Sequence, residues 1–230
     1  MGVRLRAVLW DMDGTILGSE PLWYKAISEY LGERGGECTD ADRADLIGVP
    51  APRMLAIVCA AAGVEPTPET AAEITQFMDR RVGELITDSA QWQPGAKQAL
   101  DLTREAALPC ALVTNASRRI TECGLDIIGR EYFAASVSAD DVISPKPAPY
   151  AYLRAAELLN VSPRDSVAVE DSHAGANAAE AAGCGVVLVG PAGVSLDGPA
   201  RMVRTSLVGL GIADLQQALA LRDLCIGARQ

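Results

Sequence analysis

Short apolar runs alternate with longer helical patterns along most of the chain, and this alternation constrains the fold more than any other feature. The clearest runs are residues 7–10, 110–113, 167–169 and 186–189, with weaker ones at 134–137 and 206–208. Such runs are typical of strands in a parallel sheet that is covered on both faces. Helical patterns occupy residues 96–107, 118–128, 148–159, 174–182 and 213–221. The sequence therefore predicts an α/β fold with a doubly wound parallel sheet.

Residues 19–88 break this alternation. They contain no convincing strand, but they carry helical patterns at residues 21–31, 40–47, 52–62 and 68–86. Thr67, Pro68 and Glu69 form a strong helix start, because threonine caps, proline fits the first helical position and glutamate favours the first turn. We predict that residues 19–88 are a helical domain inserted into a core formed by residues 1–18 and 89–230.

The charge balance limits the classes of partner. The chain has 30 acidic and 20 basic residues, a net charge of −10, and no block of like charge typical of nucleic-acid or membrane surfaces. An acidic surface repels phosphate at long range, so a phosphorylated ligand would need a metal or one of the few lysines, Lys25, Lys97 and Lys146. No leader or membrane-spanning run is evident, so we expect a cytoplasmic protein, either a monomer or a weak dimer.

A pair of carboxylates follows the first apolar run, in the motif Asp11-Met12-Asp13-Gly14-Thr15. Ligands of doubly wound sheets bind beyond the carboxyl ends of the strands. There, one carboxylate could attack phosphorus while the other protonates the leaving oxygen. The same residue types also favour a plain strand-ending turn, and this motif alone does not separate the two interpretations.

Three more polar motifs stand near the ends of later strands. Thr114-Asn115 follows the run at 110–113, Lys146-Pro147 precedes a helical pattern, and Glu170-Asp171-Ser172 follows the run at 167–169. The sheet would bring these motifs to the same edge as the first carboxylate pair. Clustered carboxylates repel a phosphate unless a hard cation lies between them, and Mg²⁺ suits such oxygen ligands.

These four motifs, in this order, resemble the haloacid dehalogenase-like superfamily of phosphohydrolases. Residues 170–175 (Glu-Asp-Ser-His-Ala-Gly) and 19–23 (Ser-Glu-Pro-Leu-Trp) are similar to its β-phosphoglucomutase-like branch, and the insertion resembles a type 1 cap. The resemblance implies a Rossmannoid core and a phosphoric monoester hydrolase. It further implies a Mg²⁺-dependent phosphatase acting through an aspartyl phosphate. The substrate would be a small phosphorylated metabolite, with a sugar or sugar-alcohol phosphate favoured.

The resemblance also implies a role for each residue that matches a motif. Asp11 would be the nucleophile and a magnesium ligand. Asp13 would act as general acid and then base, with its backbone carbonyl on the metal. Lys146 would be catalytic and would bind the transferring phosphoryl group together with Thr114 and Asn115.

The remaining implied roles concern the metal and the substrate. Asp171 would bind magnesium directly and Glu170 through a water. In the cap, substrate contact is weighed evenly against packing or a solvated surface for Glu20, Trp23, Tyr24 and Arg53.

A sugar-phosphate mutase of the same branch is the nearest alternative. Such enzymes carry a histidine in the first cap helix that helps to hold off attack by water. The only histidine here is His173, which either caps the next helix or lines the substrate mouth, and Trp23 stands near the expected position. The sequence therefore favours a phosphatase over a mutase.

Three further classes of protein fit the sequence less well. A dehalogenase has no need of the acid at Asp13, and a phosphonate-cleaving enzyme would need a cap lysine where Lys25 is a poor match. A non-catalytic binding protein would not need the full set of motifs. One departure from the branch is Gly18, where an aspartate is frequent.

Overall fold

Six parallel strands form one sheet in the computed structural model, which describes residues 4–39, 42, 46, 51–190 and 200–227. The strands are β1 (Ala7–Trp10), β2 (Cys110–Val113), β3 (Ala135–Val137), β4 (Ser166–Glu170), β5 (Gly185–Val189) and β6 (Arg201–Arg204). Their order across the sheet is β3-β2-β1-β4-β5-β6. The predicted fold class, an α/β protein with a doubly wound parallel sheet, is confirmed.

Helices connect and cover the strands. They are α1 (Glu20–Gly32), α2 (Ala51–Ala62), α3 (Pro68–Ser89), α4 (Ala96–Glu105), α5 (Arg118–Ile128), α6 (Tyr150–Leu158), α7 (His173–Ala182) and α8 (Ile212–Gly227). Thr67 caps α3 as predicted, because its side chain accepts a hydrogen bond from the Thr70 amide at 3.2 Å. The helix predicted at residues 40–47 lies almost wholly outside the described residues.

The apolar core lies on both faces of the sheet, which explains why the central strands are continuously apolar. Alternate residues point to opposite faces, so Val8 and Trp10 pack in one cluster and Leu9 packs in the other. The first cluster includes side chains of α4, α5 and α8, whereas the second includes side chains of α6 and α7. Parallel strands need this double cover, because helical crossovers return the chain over both faces.

The last strand differs from its prediction. We expected a strand at residues 206–208, but the structure places β6 at Arg201–Arg204. Among the described strands it lies at the edge of the sheet and pairs with β5 alone, and it is partly exposed, so its sequence carries arginines instead of an apolar run. Arg201 pairs with Glu180 and Arg204 pairs with Asp214. An edge strand of this composition gives no apolar signal.

Among its described residues, the segment between β1 and α4 contains helices α1, α2 and α3 and no strand of the sheet. The long helix α3 packs against α5, where Gly83 permits a close approach. A Cβ atom added at Gly83 would lie 3.2 Å from Cys123 Sγ. Residues of α1 and α3, including Tyr30 and Ile74, join the same apolar cluster as α4 and α5. The inserted helices are therefore held close to the edge of the sheet where β1 ends.

No helix in the described parts of the chain has both the length and the apolar character needed to cross a bilayer.

Gly95, at the start of α4, provides a test of the fold. Its φ of +83° favours glycine, and an added Cβ would lie 2.3 Å from the backbone nitrogen of Val208. Gly63 has a φ of +66° with nothing within 4 Å of the same position. We expect Gly95→Ala to lower the free energy of unfolding by about 3 kcal/mol, because a backbone clash adds to the strain. Gly63→Ala should cost about 1 kcal/mol.

Chemical denaturation of the two variants beside the wild-type protein measures this difference. Equal losses in the two glycine variants would contradict the packing of the α4 start against residues 207–208.

Candidate active site

Asp11 stands directly after β1 at the centre of the carboxyl edge of the sheet. Its amide donates to the Val169 carbonyl at 3.0 Å, which continues the pairing of β1 with β4. The side chain is buried, with Oδ1 2.6 Å from Lys146 Nζ. The other oxygen, Oδ2, is buried without a hydrogen-bond partner. Because a buried carboxylate oxygen is costly to leave unsatisfied, this atom marks the position where a ligand or metal would bind.

Lys146 brings a buried ammonium group to this carboxylate. Its Nζ donates to Asp11 Oδ1 at 2.6 Å, to the Val113 carbonyl at 2.8 Å and to Glu170 Oε1 at 2.5 Å. The Lys146 backbone is fixed by Asn115, whose Oδ1 accepts from the lysine amide at 2.8 Å and whose Nδ2 donates to the lysine carbonyl at 3.1 Å. The side chain of Asn115 thus positions the lysine segment.

Glu170, the last residue of β4, is fully buried and accepts hydrogen bonds at both oxygens. Oε1 accepts from Lys146 and, at 2.6 Å, from the Tyr152 hydroxyl. Oε2 accepts from the Asp171 amide at 3.2 Å and from the Ser172 hydroxyl at 3.0 Å. The carboxylate occupies the space beside Gly175, where an added Cβ would lie 1.8 Å from Oε1. This contact explains why the motif needs a glycine.

Asp171 completes a cluster of three carboxylates. Asp11, Glu170 and Asp171 each offer an oxygen, and these atoms lie within 4.8 Å of one another. Gly14 leaves room for Asp171, because a Cβ at Gly14 would lie 1.9 Å from Asp171 Oδ2, and its φ of +81° also favours glycine. Such a set of hard oxygen donors, with Asp11 Oδ2 unsatisfied, fits a Mg²⁺ ion.

The electrostatics of the cluster agree with this fit. Burial, together with the nearby Glu170 carboxylate, raises the pKa of Asp11 to about 7 despite the opposing Lys146 ammonium. Burial also raises the pKa of Asp171 well above its usual range, and the carboxylates of Asp11 and Glu170 add to this effect. Burial disfavours the Lys146 ammonium, but Asp11 and Glu170 outweigh it and raise the pKa of the lysine. One ammonium does not balance this many carboxylates, so the site favours a further cation.

Asp13 lies on the side of the site that faces α1. Its Oδ1 accepts from the Ser19 hydroxyl at 2.6 Å and from the Trp23 indole Nε1 at 3.2 Å. Its Oδ2 accepts from the Thr114 hydroxyl at 3.2 Å. Ser19 is fully buried just before α1, and Trp23 belongs to that helix. The inserted helix thus contacts the second carboxylate of the motif directly.

A cavity of about 330 Å³ connects these groups. Its walls include almost every residue that the motifs singled out, namely Asp11, Asp13, Glu20, Trp23, Tyr24, Thr114, Asn115, Lys146 and Asp171. Glu170 lies beneath this wall, where it contacts Lys146.

Arg53, a cap residue for which the sequence supports substrate contact and a solvated surface equally, is exposed and does not line this cavity. Lys25 and His173 are not wall residues either. His173 lies 3.5 Å from the Arg201 guanidinium, beside the first turn of α7.

The sequence predicted no site role for two residues that hold the site together, Ser19 and Tyr152. Ser19 precedes a Glu-Pro pair, which is a recognisable helix start, but nothing local shows that its hydroxyl faces Asp13. Tyr152 lies on the buried face of α6, and its contact with Glu170 depends on how that helix crosses the sheet. Neither contact can be predicted from a local sequence pattern.

Comparison with known proteins agrees with this geometry. The family model for haloacid dehalogenase-like hydrolases matches residues 5–183. A phosphorylated carbohydrates phosphatase of Thermotoga maritima is 32% identical over 181 residues, which is 78% of this chain and 82% of that protein. Hexitol phosphatase A of Escherichia coli is 31% identical over 215 residues, 94% of each chain. The chain belongs to the haloacid dehalogenase-like hydrolases.

A solved structure supports the same fold. The β-phosphoglucomutase of Clostridium difficile superposes with a TM-score of 0.80 over 96% of this chain and 99% of that one, at 20% identity. The predicted likeness to that branch is confirmed at the level of the fold. The predicted enzyme class, a phosphoric monoester hydrolase of this family, is also confirmed, since the related proteins named above are phosphatases.

The raised pKa of Asp11 predicts how stability varies with pH in the absence of metal. Its value of about 7 in the folded protein exceeds the ordinary 3.8, so the folded state binds more protons between these limits. The free energy of unfolding should therefore fall as the pH rises from about 4 to about 7. Asp11→Asn removes the cost of ionising a buried carboxyl group. The melting temperature of this variant should therefore exceed that of wild type above pH 7, and the difference should shrink towards pH 4.

Melting curves in a chelator at several pH values measure this effect. Asp88→Asn, an exposed change near the end of α3, is the matched control. A difference between Asp11→Asn and wild type that is independent of pH would contradict the burial of an ionisable carboxyl at this position.

Proposed function

We propose that this chain is a magnesium-dependent phosphatase that hydrolyses a small phosphorylated metabolite through a phosphoryl group carried on Asp11. The observation that carries the proposal is that Asp11 lines the cavity and that its Oδ2 is buried without a hydrogen-bond partner. The other oxygen of this carboxylate accepts from Lys146, which fixes the orientation of the carboxyl group. A nucleophile held in one orientation lowers the entropic part of the barrier.

Asp13 is the proposed general acid and base. It lies two residues from the nucleophile, and both carboxyl groups line the same cavity. In the first step it would donate a proton to the departing alcohol oxygen, and in the second it would take a proton from the attacking water. The bonds from Ser19, Trp23 and Thr114 would hold its carboxyl group in place between the two steps.

Lys146 and Thr114 would bind the transferring phosphoryl group, because both residues line the cavity together with the nucleophile. Asn115 would not contact the phosphoryl group with its side chain. Its side-chain amide is engaged with the Lys146 backbone, so its contribution would be to fix the lysine and to offer its own main chain. A positioned cation is most effective where water is excluded, as at this buried ammonium.

Asp11 and Asp171 would hold Mg²⁺, with the backbone carbonyl of Asp13 as a further ligand and Glu170 acting through a water. When bound, the metal would neutralise charge on the phosphate and so permit attack by a carboxylate. Both oxygens of Glu170 already accept hydrogen bonds from protein groups, which agrees with an indirect contact.

Residues 19–88 would act as a cap over a core formed by residues 1–18 and 89–230. The support is that Glu20, Trp23 and Tyr24 of α1 line the cavity together with the core motifs. A cap in this position would exclude water while the aspartyl phosphate forms and would select the substrate. The cytosolic location and the monomeric or weakly dimeric state stay predictions.

The cavity wall favours a substrate that is neutral beyond its phosphate. Among the described residues of the wall, Lys146 is the one cation, whereas Glu20, Asp79 and Asp140 bring carboxylates. Carboxylates suit the hydroxyl groups of a sugar or sugar alcohol and repel a second anionic group. Two related proteins are named as phosphatases of phosphorylated carbohydrates and of hexitols, which agrees with a sugar or sugar-alcohol phosphate.

The mutase alternative has less support. A mutase of this branch would have to bind a bisphosphate, and the described wall offers no second cation for a second phosphate. The first inserted helix presents Trp23 to Asp13 instead of the histidine expected of a mutase. Both observations favour transfer of the phosphoryl group to water.

A panel of phosphorylated metabolites tests the proposal. We expect Mg²⁺-dependent release of inorganic phosphate, with hexose and hexitol monophosphates ahead of phosphoglycolate and of bisphosphates. Asp11→Asn should lower kcat by about 10⁴-fold or more, because the nucleophile is lost. Exposed Asp88→Asn should match wild type.

The panel includes β-glucose 1-phosphate, and its conversion to the 6-phosphate without phosphate release would show a mutase instead. Full activity in the Asp11 variant would refute the proposed nucleophile.

A further inference from the structure

A tyrosine beneath the catalytic pocket contacts the residue that holds the lysine. Tyr152 is fully buried on α6, and its hydroxyl donates to Glu170 Oε1 at 2.6 Å. The same oxygen accepts from Lys146 Nζ at 2.5 Å. The lysine Nζ also lies 5.2 Å from the centre of the tyrosine ring. Tyr152 does not line the cavity, so it would have no contact with a substrate.

We propose that Tyr152 is a positioning residue for the phosphatase reaction and acts through Glu170 on Lys146. The inference rests on the proposed function, because it concerns the lysine that would bind the phosphoryl group. The hydroxyl fixes Glu170 Oε1, and this oxygen directs the ammonium towards Asp11.

The Lys146 ammonium has three acceptors. One of them, the carboxylate of Glu170, can rotate and does not line the cavity. The Val113 carbonyl is fixed by β2, and Asp11 is the nucleophile itself. Glu170 is therefore the acceptor that would hold the ammonium in place while the charge on Asp11 is consumed during attack. Once Asp11 carries a phosphoryl group, Glu170 remains the anionic partner of the lysine.

Fixing Glu170 in turn needs donors on both of its oxygens. The backbone and hydroxyl donors at Asp171 and Ser172 all reach Oε2. At Oε1 the tyrosine hydroxyl is the one neutral donor among the described residues. Without this hydroxyl, Lys146 would be the one donor to Oε1 among the described residues, and the carboxylate would be held less tightly about its final torsion, chiefly by the bonds at Oε2. The lysine would then lose its fixed partner during the reaction.

Tyr152→Phe tests this role, since it removes the hydroxyl and keeps the ring that covers the lysine. We expect kcat for the best substrate of the panel to fall about tenfold, while KM changes by less than about twofold. The matched control is Tyr30→Phe. Tyr30 is also buried, and its hydroxyl donates to the Glu73 carboxylate at 3.4 Å, away from the catalytic groups. This control should keep the kcat of wild type.

A double-mutant cycle with Glu170→Ala, which removes the acceptor of the tyrosine hydroxyl, separates positioning from a general loss of stability. If the tyrosine acts through Glu170, the variant that carries both changes should have the kcat of Glu170→Ala alone. Additive losses in kcat, or an unchanged kcat in Tyr152→Phe, would overturn the inference. Activity in wild type is measured first, so inactivity there would count against the proposed function and not against the role of Tyr152.

Discussion

The buried ammonium of Lys146, held between the carboxylates of Asp11 and Glu170, is the interaction on which the rest of the site depends. Its distances to the two carboxylates are 2.6 and 2.5 Å, and all three side chains are almost completely buried. Burial of charge is costly unless each charge is paired and hydrogen-bonded. The lysine meets this requirement with three acceptors, whereas Asp11 meets it with only one of its two oxygens. The carboxylate of Asp11 therefore keeps one oxygen, Oδ2, without a protein partner and open to a ligand or metal.

The sheet makes this arrangement possible because of the order of its central strands. β1 lies between β2 and β4, so their carboxyl ends bring together residues that are far apart in the sequence. Asp11 follows β1, Thr114 follows β2, and Glu170 ends β4. Two helices begin at the same edge, where Ser117 and Ser172 cap α5 and α7. Helix N-termini favour anions, so the edge combines acidic ligands with donors for a phosphate.

Some features of this protein could be predicted from the sequence because their physical cause is local. Strands β1 and β2 agree with their predicted bounds, since a strand buried on both faces must be apolar throughout. Strand β6 was not predicted, because an edge strand is under no such constraint. The order of motifs after successive strands predicted which carboxylates would meet, since parallel strands share one carboxyl edge.

Other features depend on tertiary contacts that leave no local pattern. The bond from Tyr152 to Glu170 and the use of the Asn115 amide on the Lys146 backbone depend on how α6 and the segment before it cross the sheet. The placement of Trp23 at Asp13, with Arg53 outside the cavity, depends on the packing of the inserted helices. The chemistry of a motif can therefore be predicted from residue type and order, whereas the residues that support it need the fold.

The central claim is that Asp11 carries the phosphoryl group between two chemical steps. Its most direct test is rapid acid quenching of wild type during turnover of the best substrate with Mg²⁺, followed by peptide mapping with mass spectrometry. The account predicts a phosphoryl group on Asp11 that forms before steady state and is removed by hydroxylamine, as expected of an acyl phosphate. Turnover at the normal rate without any phosphoryl group on Asp11, or with one on another residue, would contradict it.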